Sequence, residues 1–575
     1  MSPRMTGAQM LWESLIREGV EVVFGYPGGS IMPVYDAMLE YPVRHVLTRH
    51  EQGAAHAADS YARALRHQRK VGVAMATSGP GATNLVTGIA TAMMDSSPVV
   101  FITGQVASSY LGSDAFQEID VTGVTQPITK HNFLVTRAAD IPRVVREAFH
   151  IARTGRPGPV LIDLCKDAQT EEAEFVWPET VQLPGYHLPE QADEAALEEA
   201  TRLLSQAQRP VILAGQGVLL SGAMEELRAL ADRAQIPVAM TLLGLGALPL
   251  EHPLSLGMMG MHGEYFVNMA IQNADLLIAL GMRFDDRVTG KLEAYAPQAR
   301  KIHVEVDPAE INKNVLVDVA LLGDLKTVLT QWLPLVPEAQ RPAWLAQIDT
   351  WRAGTRQRDV VRRTQRRSGG PLRGAEVIQR LWEATVDRDV IITTGVGQHQ
   401  MWTAQYYRFA QPYRLITSGG LGTMGFGLPS GVGAALAHPD KEIWVIEGDG
   451  GFQMTQAEMS TVVQENLNIK IVVLNNHYLG MVRQWQELFH DRRYAAVLLH
   501  NPDFLQLAAA HGIPGRRVTQ RNEVDDALAF ARRQKGPVLL EFRVPDEDNV
   551  FPMVTTNDPL HAMIRRPTEE HLDAK

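Results

Sequence analysis

Two short motifs carry the strongest chemical signal in this chain. Gly448-Asp449-Gly450-Gly451 follows the strand-like run 442–447, and Asn475-Asn476 closes the run 469–474. Asp449 and Asn476 lie 27 positions apart, room for one helix between two parallel strands. A hard cation such as Mg²⁺ takes an octahedron of oxygens, few from protein and the rest from water and phosphate. A carboxylate, an amide oxygen and a backbone carbonyl at adjacent strand ends supply that share and leave room for a diphosphate. Either motif alone is an ordinary turn sequence. Their pairing points to a clamp for a metal and a diphosphate.

Other residue types join this pair. Glu51 opens a small-residue helix, Glu51 to Asp59, where a carboxylate suits the helix dipole or could meet a ligand. The segment Ser418 to Pro429 carries enough glycine to bring backbone close to a flat or anionic group, or to form simple turns. Glu305, ending the strand-like run 301–304, suits a ribose hydroxyl as in nucleotide-binding folds. Arg287 reads either as a carboxylate fork or as a domain salt bridge, and Trp485 either as a pocket wall or as core.

The elements that position these groups follow one pattern: an apolar run, a glycine-bearing turn, then an Ala-rich helical stretch. Runs at 22–25, 71–76, 99–104, 211–215, 276–281, 390–393, 442–447, 469–474 and 538–542 repeat it. Continuous apolar strands alternating with helices mean α/β architecture, parallel sheets covered on both faces, with ligands at the carboxyl ends of the strands. Breaks at 170–193 and 352–371 divide the 575 residues into three doubly wound domains, 1–185, 190–355 and 370–575. The net charge of −11 argues against nucleic acid as a partner, and the Arg362-Arg363 and Arg366-Arg367 cluster reads as a solvated linker. Cys165 is the only cysteine and reads as a buried thiol, which excludes an internal disulfide. With no signal-type leader and no membrane-length apolar run, a soluble cytoplasmic protein is the expectation.

The clamp, Glu51 and the glycine loop together resemble the thiamine-diphosphate enzymes. More narrowly, Gly25-Tyr26-Pro27-Gly28-Gly29, the segments 76–84, 103–106, 114–118, 128–132 and 155–160, Arg283-Phe284-Asp285-Asp286-Arg287 and 480–485 resemble the catalytic subunit family of acetolactate (acetohydroxyacid) synthases. The resemblance spans nearly the whole chain. It implies a pyrimidine-binding first domain, a central Rossmann-like FAD domain and a third domain for diphosphate and Mg²⁺.

By that resemblance Glu51 meets the pyrimidine nitrogen of thiamine diphosphate. Gln398, His399, Gly422, Thr423, Met424, Asp449, Gly450, Gly451, Asn476, Tyr478 and Met481 hold the same cofactor, with Asp449, Asn476 and the Tyr478 carbonyl on the metal. Arg156, His262, Gly263, Gly281, Met282, Arg283, Phe284, Asp285, Glu305, Val306 and Asp324 match FAD-contacting positions. Gln117 and Lys130, with Phe116, match active-site positions, Arg287 meets the acceptor carboxylate, and Trp485 favours an ethyl over a methyl group. The reaction implied is decarboxylation of pyruvate and transfer of the hydroxyethyl unit to a second pyruvate or to 2-ketobutyrate, a step of valine, leucine and isoleucine biosynthesis. A homodimer or homotetramer and a small regulatory subunit are also implied. Ala107-Ser108-Ser109 departs from the Pro-Arg common in the family beside the substrate channel, which puts inhibitor sensitivity in doubt. Gly451 and Cys165 also depart from the family pattern, without touching the expected catalytic groups.

Overall fold

The computed structural model describes residues 4–189, 191–359, 370–555 and 557–566. The arginine cluster at 362–367 lies outside them. Three six-stranded sheets dominate, and every strand pairing within them is parallel. Helices cover both faces, as the unbroken apolar runs require.

The first sheet orders its strands 44–47, 22–25, 72–76, 99–105, 160–165, 131–135, and the third orders them 415–417, 390–394, 442–448, 469–475, 538–543, 515–518. Numbered within each sheet, both read 2-1-3-4-6-5. The kinship of the first and third domains, invisible as a sequence repeat, is therefore a topological one. The middle sheet runs 255–258, 238–240, 210–214, 276–280, 300–305, 319–322, or 3-2-1-4-5-6, the dinucleotide-binding order. A two-stranded antiparallel ribbon, Arg4–Thr6 with Glu172–Glu174, ties the start of the described chain to the end of the first domain.

Strands flanked on both sides were the legible ones. Val99–Gln105, Leu276–Leu280 and Ile469–Asn475 are buried at every position. Edge strands such as His131–Val135 and Gly515–Val518 are half in water and carry polar residues, so no apolar run marks them. Cys165 is buried at the end of Val160–Cys165, and burial pushes its thiol up to about 12, as fits an inert packing residue.

The first and third domains of one chain meet through two small-residue helices, Glu51–Ala64 and Gly427–Ala437. A Cβ on Gly433 would lie 2.0 Å from the Ala57 carbonyl oxygen, so the backbones touch where only glycine fits. His56 is buried in this seam against Phe426, ring centroids 5.1 Å apart, and His50 caps its own helix by accepting from Gln52 N–H at 3.1 Å. His56 serves packing and His50 capping. Among the described residues no helix is long and apolar enough to cross a membrane.

Candidate active site

The strand order of the third sheet reverses between the parallel strands 390–394 and 442–448, and a cleft opens at their carboxyl ends. Gln398, His399, Met424, Asp449, Gly450, Gly451, Asn476, Tyr478 and Met481 all line it. Asp449 is 2% exposed and starts the helix Asp449–Thr455. Its carboxylate accepts from Asn501 Nδ2 at 2.7 Å and from Gly450 N–H at 3.1 Å, and burial pushes it up to about 6. A buried carboxylate held by so few donors is short of compensating charge, the condition a cation relieves. Asn476 Nδ2 donates to Gln398 Oε1 at 3.3 Å, while its Oδ1 accepts from Tyr478 N–H at 3.1 Å, shaping the turn that carries the Tyr478 carbonyl. Gln398 is locked further by Nε2 donation to Gln484 Oε1 and to the Asp548 carbonyl, both at 3.1 Å. A Cβ on Gly480 would stand 2.1 Å from Gln398 Oε1, so the cleft floor is built for backbone alone.

A buried acid lies behind this floor. Among the described residues no hydrogen bond of good geometry reaches either carboxyl oxygen of Glu447 or Nε2 of His399, and the two side chains approach to 3.7 Å. Burial pushes Glu447 up to about 8 and His399 down to about 3, so both are neutral at pH 7.

The second cavity is larger, about 1070 Å³, at the upper end for a small-molecule site. Arg156, His262, Gly281, Met282, Arg283, Asp285, Glu305, Val306 and Asp324 line it, together with Gly422, Arg287 and Trp485. It sits at the switch point of the middle sheet, where Gly215 N–H donates to the Leu280 carbonyl at 2.9 Å and Gly217 N–H to the Gly281 carbonyl at 2.9 Å. Met481, Val396 and Gly397 border both cavities, so the two clefts are neighbours. Arg156 reaches from the first domain to Glu310 at 2.8 Å and Asp307 at 3.4 Å. Burial pushes Glu305 up to about 7 and holds His262 down to about 4, its Nδ1 3.0 Å from the Pro552 carbonyl.

Arg287 is 59% exposed and 3.7 Å from Asp286, a pairing too loose to consume its guanidinium. Trp485, on the helix Gly480–Phe489, is half-buried with its ring 5.0 Å from that of Phe489. Neither side chain is in the core. Phe284 and Gly263 behave otherwise: Phe284 is buried against His303, centroids 5.2 Å apart, and neither residue lines the cavity. Thr423 turns its hydroxyl to Thr91 at 2.7 Å and faces neither cleft.

The remaining expected residues gather elsewhere. Glu51 begins the helix Glu51–Ala64, and Asn84 Nδ2 donates to its Oε2 at 3.0 Å. A Cβ on Gly81 would lie 3.4 Å from Glu51 Oε1, and one on Gly79 would lie 2.9 Å from the Gln117 Cβ, so the turn 77–81 seats both side chains. Gln117 itself has φ +60°, and the neighbouring Phe116 is 89% exposed. Neither Glu51 nor Gln117 lines either cavity of the same chain. Lys130 Nζ donates to the carbonyls of Ile151 at 2.5 Å and Thr154 at 2.8 Å, capping the helix Ile141–Arg153 and bracing the turn that carries Arg156. Burial pulls it down to about 8.

Four residues have no place in the sequence reading. Asn501 orients Asp449 from 52 residues away, and no motif marks it. Gln216 and Gly217 line the large cavity, and the Gly-Gln-Gly following a strand was a usable signal. Asp95 is taken up below.

The buried acids give the fold a pH signature. Glu305, Asp163 and Glu447 keep a proton in the folded chain at about 7, 7 and 8, where unfolded carboxyls have lost it. The folded state then binds more protons, so cofactor-free protein loses stability as pH rises from about 6.5 to 7.5. The buried histidines, at about 3 to 4, act in the opposite direction, an effect that fades through the window as their unfolded rings lose protons around 6.5, and Lys130 and Lys470, near 8, act mainly above it. Urea midpoints measured across the window should fall; a rise would contradict the assignment.

Comparison with known proteins places this geometry. Three family models match in order: the thiamine pyrophosphate enzyme N-terminal TPP binding domain at residues 5–124, the central domain at 197–332 and the C-terminal TPP binding domain at 395–542. The acetolactate synthase isozyme 2 large subunit of Escherichia coli is 47% identical over 552 residues, covering 96% of this chain and 97% of its own. The large subunits of Corynebacterium glutamicum and Mycobacterium tuberculosis are 48% and 47% identical, covering 96% and 97% of this chain and 89% and 92% of their own. This chain belongs to the acetolactate synthase family. The resemblance read from the motifs is borne out over nearly the full length, and so is the three-domain α/β architecture. Gln398, Asp449, Asn476 and Tyr478 of the cleft lie within the stretch matched by the C-terminal TPP binding domain, and Glu51 within that matched by the N-terminal one.

Proposed function

We propose that this chain is the catalytic large subunit of an acetolactate synthase, acting on pyruvate and on a second 2-keto acid, pyruvate or 2-ketobutyrate, in branched-chain amino-acid biosynthesis. The observation that carries the reading is that Arg287 and Trp485 line the large cavity together with Met481, which also borders the smaller cleft, in a chain of this family. The donor set of the smaller cleft, one starved carboxylate, an amide and a carbonyl over a glycine floor, fits Mg²⁺ and a diphosphate. The larger cavity, with close-packed glycines at its switch point, arginines and the acid Glu305, fits FAD.

When bound, thiamine diphosphate supplies the electron sink for the pair released as pyruvate loses carbon dioxide. Asp449, Asn476 and the Tyr478 carbonyl would hold the metal, and Gln398 and His399 the diphosphate end. Glu51, fixed by Asn84, would hold a proton at the pyrimidine ring nitrogen. The Arg287 guanidinium orients the carboxylate of the acceptor through its planar fork. Lys130 acts one step back, by fixing the turn of Arg156.

Glu51 and the metal cleft of one chain do not share a cavity, which supports a homodimer in which each site takes its Glu51 and Gln117 from the partner. Exposed apolar side chains beside the two half-sites, Phe116 at 89%, Leu498 at 55% and Leu421 at 43%, suit burial there. A tetramer, a small regulatory subunit and a cytoplasmic setting complete the proposal.

The test is a competition assay with pyruvate and 2-ketobutyrate together, omitting Mg²⁺, thiamine diphosphate and FAD in turn. Acetolactate and acetohydroxybutyrate are expected, and acetyl phosphate with oxygen uptake would sink the reading. In the same assay Trp485→Leu should lower the preference for 2-ketobutyrate by about tenfold, since one methylene in a shaped pocket decides about 1–3 kcal/mol. An unchanged product ratio would refute the pocket role.

A further inference from the structure

The loop 417–424 joins the two clefts: Ser418, Gly419, Gly420, Leu421 and Gly422 line the large cavity and Met424 the smaller. Glycine gives such a loop close approach but no stiffness of its own. Its stiffness comes from the first domain of the same chain. Asp95, fully buried, accepts from Gly420 N–H at 2.6 Å and from Gly419 N–H at 3.1 Å. Arg63 Nη2 donates to the same carboxylate at 2.9 Å and Nη1 to the Thr417 carbonyl at 2.8 Å, while Asp59 grips the guanidinium at 2.7 and 2.8 Å. Thr91 shares its hydroxyl with Thr423 at 2.7 Å.

The packing leaves no slack. A Cβ on Gly420 would lie 2.9 Å from Asp95 Oδ1 and 2.9 Å from the Met94 Cβ, and one on Gly419 would lie 2.7 Å from Leu243 of the central domain. The loop is thus wedged where all three domains meet. A buried ion pair is weak evidence for stability by itself. Here both glycine amides are aimed at one carboxylate oxygen each, a directional arrangement that fixes backbone position. Asp95, Arg63 and Asp59 line neither cavity and touch no expected ligand.

We propose that Asp95 is a positioning residue: its carboxylate sets where residues 419–422 stand over the junction of the two clefts, and so the affinity and environment of the flavin and of thiamine diphosphate. This rests on the functional reading above. Asp59 supplies the control, because it grips the same Arg63 without touching the loop.

The experiment measures binding of FAD, and of thiamine diphosphate with Mg²⁺, to the full-length chain by equilibrium dialysis, with the visible circular dichroism of bound flavin. Asp95→Asn should raise both dissociation constants about tenfold, the scale of one lost charge-assisted hydrogen bond, and alter the flavin dichroism. Asp59→Asn should destabilise the fold comparably yet leave both constants within about threefold and the dichroism intact, because Arg63 keeps Asp95, Ser97 and the Thr417 carbonyl as acceptors. Thr91→Val, nearly isosteric and folded, should weaken binding in the same direction as Asp95→Asn and decides the matter if that variant fails to fold. Wild-type constants and dichroism in Asp95→Asn or Thr91→Val, or equal effects of Asp59→Asn and Asp95→Asn, would overturn the proposal alone. A wild-type chain that binds neither cofactor overturns it together with the functional reading.

Discussion

Asp449→Ala is expected to abolish Mg²⁺-dependent binding of thiamine diphosphate and to lower turnover by about 10³-fold or more, since a bound metal contributes several kcal/mol of charge stabilisation. The fold should survive the change. Asn501, the main partner of Asp449, also donates to Asn475 Oδ1 at 2.9 Å, so its amide keeps an acceptor. Removing a carboxylate that burial holds up near 6 also removes a group the cofactor-free fold ionises at a cost. The urea midpoint of the cofactor-free variant at pH 7.5 should therefore match or exceed that of the parent. Titration with Mg²⁺, followed by tryptophan fluorescence, checks the binding half. Parental Mg²⁺ dependence in the variant would remove Asp449 from the metal site.

Glu51→Gln should produce the complementary failure, with turnover down about 10²–10⁴-fold, the range for a lost general acid–base group. Cofactor dissociation constants should stay within a few-fold. Glutamine has the same shape and keeps the contact with Asn84 Nδ2, now 3.0 Å from Oε2. What it lacks is the charge, which at a helix start also contributes about 0.3–1 kcal/mol to stability. Lost cofactor binding with normal turnover of the loaded fraction would make Glu51 a binding group and leave the proton role unfilled. Both variants together separate a residue that holds the cofactor from one that acts on it.

The clamp was legible because its chemistry is local. Asp449 and Asn476 each end an apolar strand, and their spacing of one helix puts those strands side by side. The central strands could be read for the same reason, since burial on both faces demands an unbroken apolar run. The edge strand Arg44–Leu47 could not, because one side meets water and the pattern lapses, and Leu415–Thr417 is too short to make a run. Arg287 and Trp485 were ambiguous in the sequence between core or salt bridge and pocket. Their exposure and shared cavity place both outside the core, a matter of packing that no spacing encodes.

By itself the sequence determined the family and the three parallel-sheet domains, and it marked Asp449, Asn476 and Glu51 as candidates, because each lies in motifs a few residues long. The tertiary structure alone decided that Asn501 steers Asp449, that Lys130 braces a turn, and that Asp95 reaches 324 residues along the chain to fix a glycine loop. It also separated Glu51 from the clamp within one chain. These are contacts between elements remote in sequence, set by how sheets and helices pack, and a linear pattern records only what neighbours along the chain must satisfy.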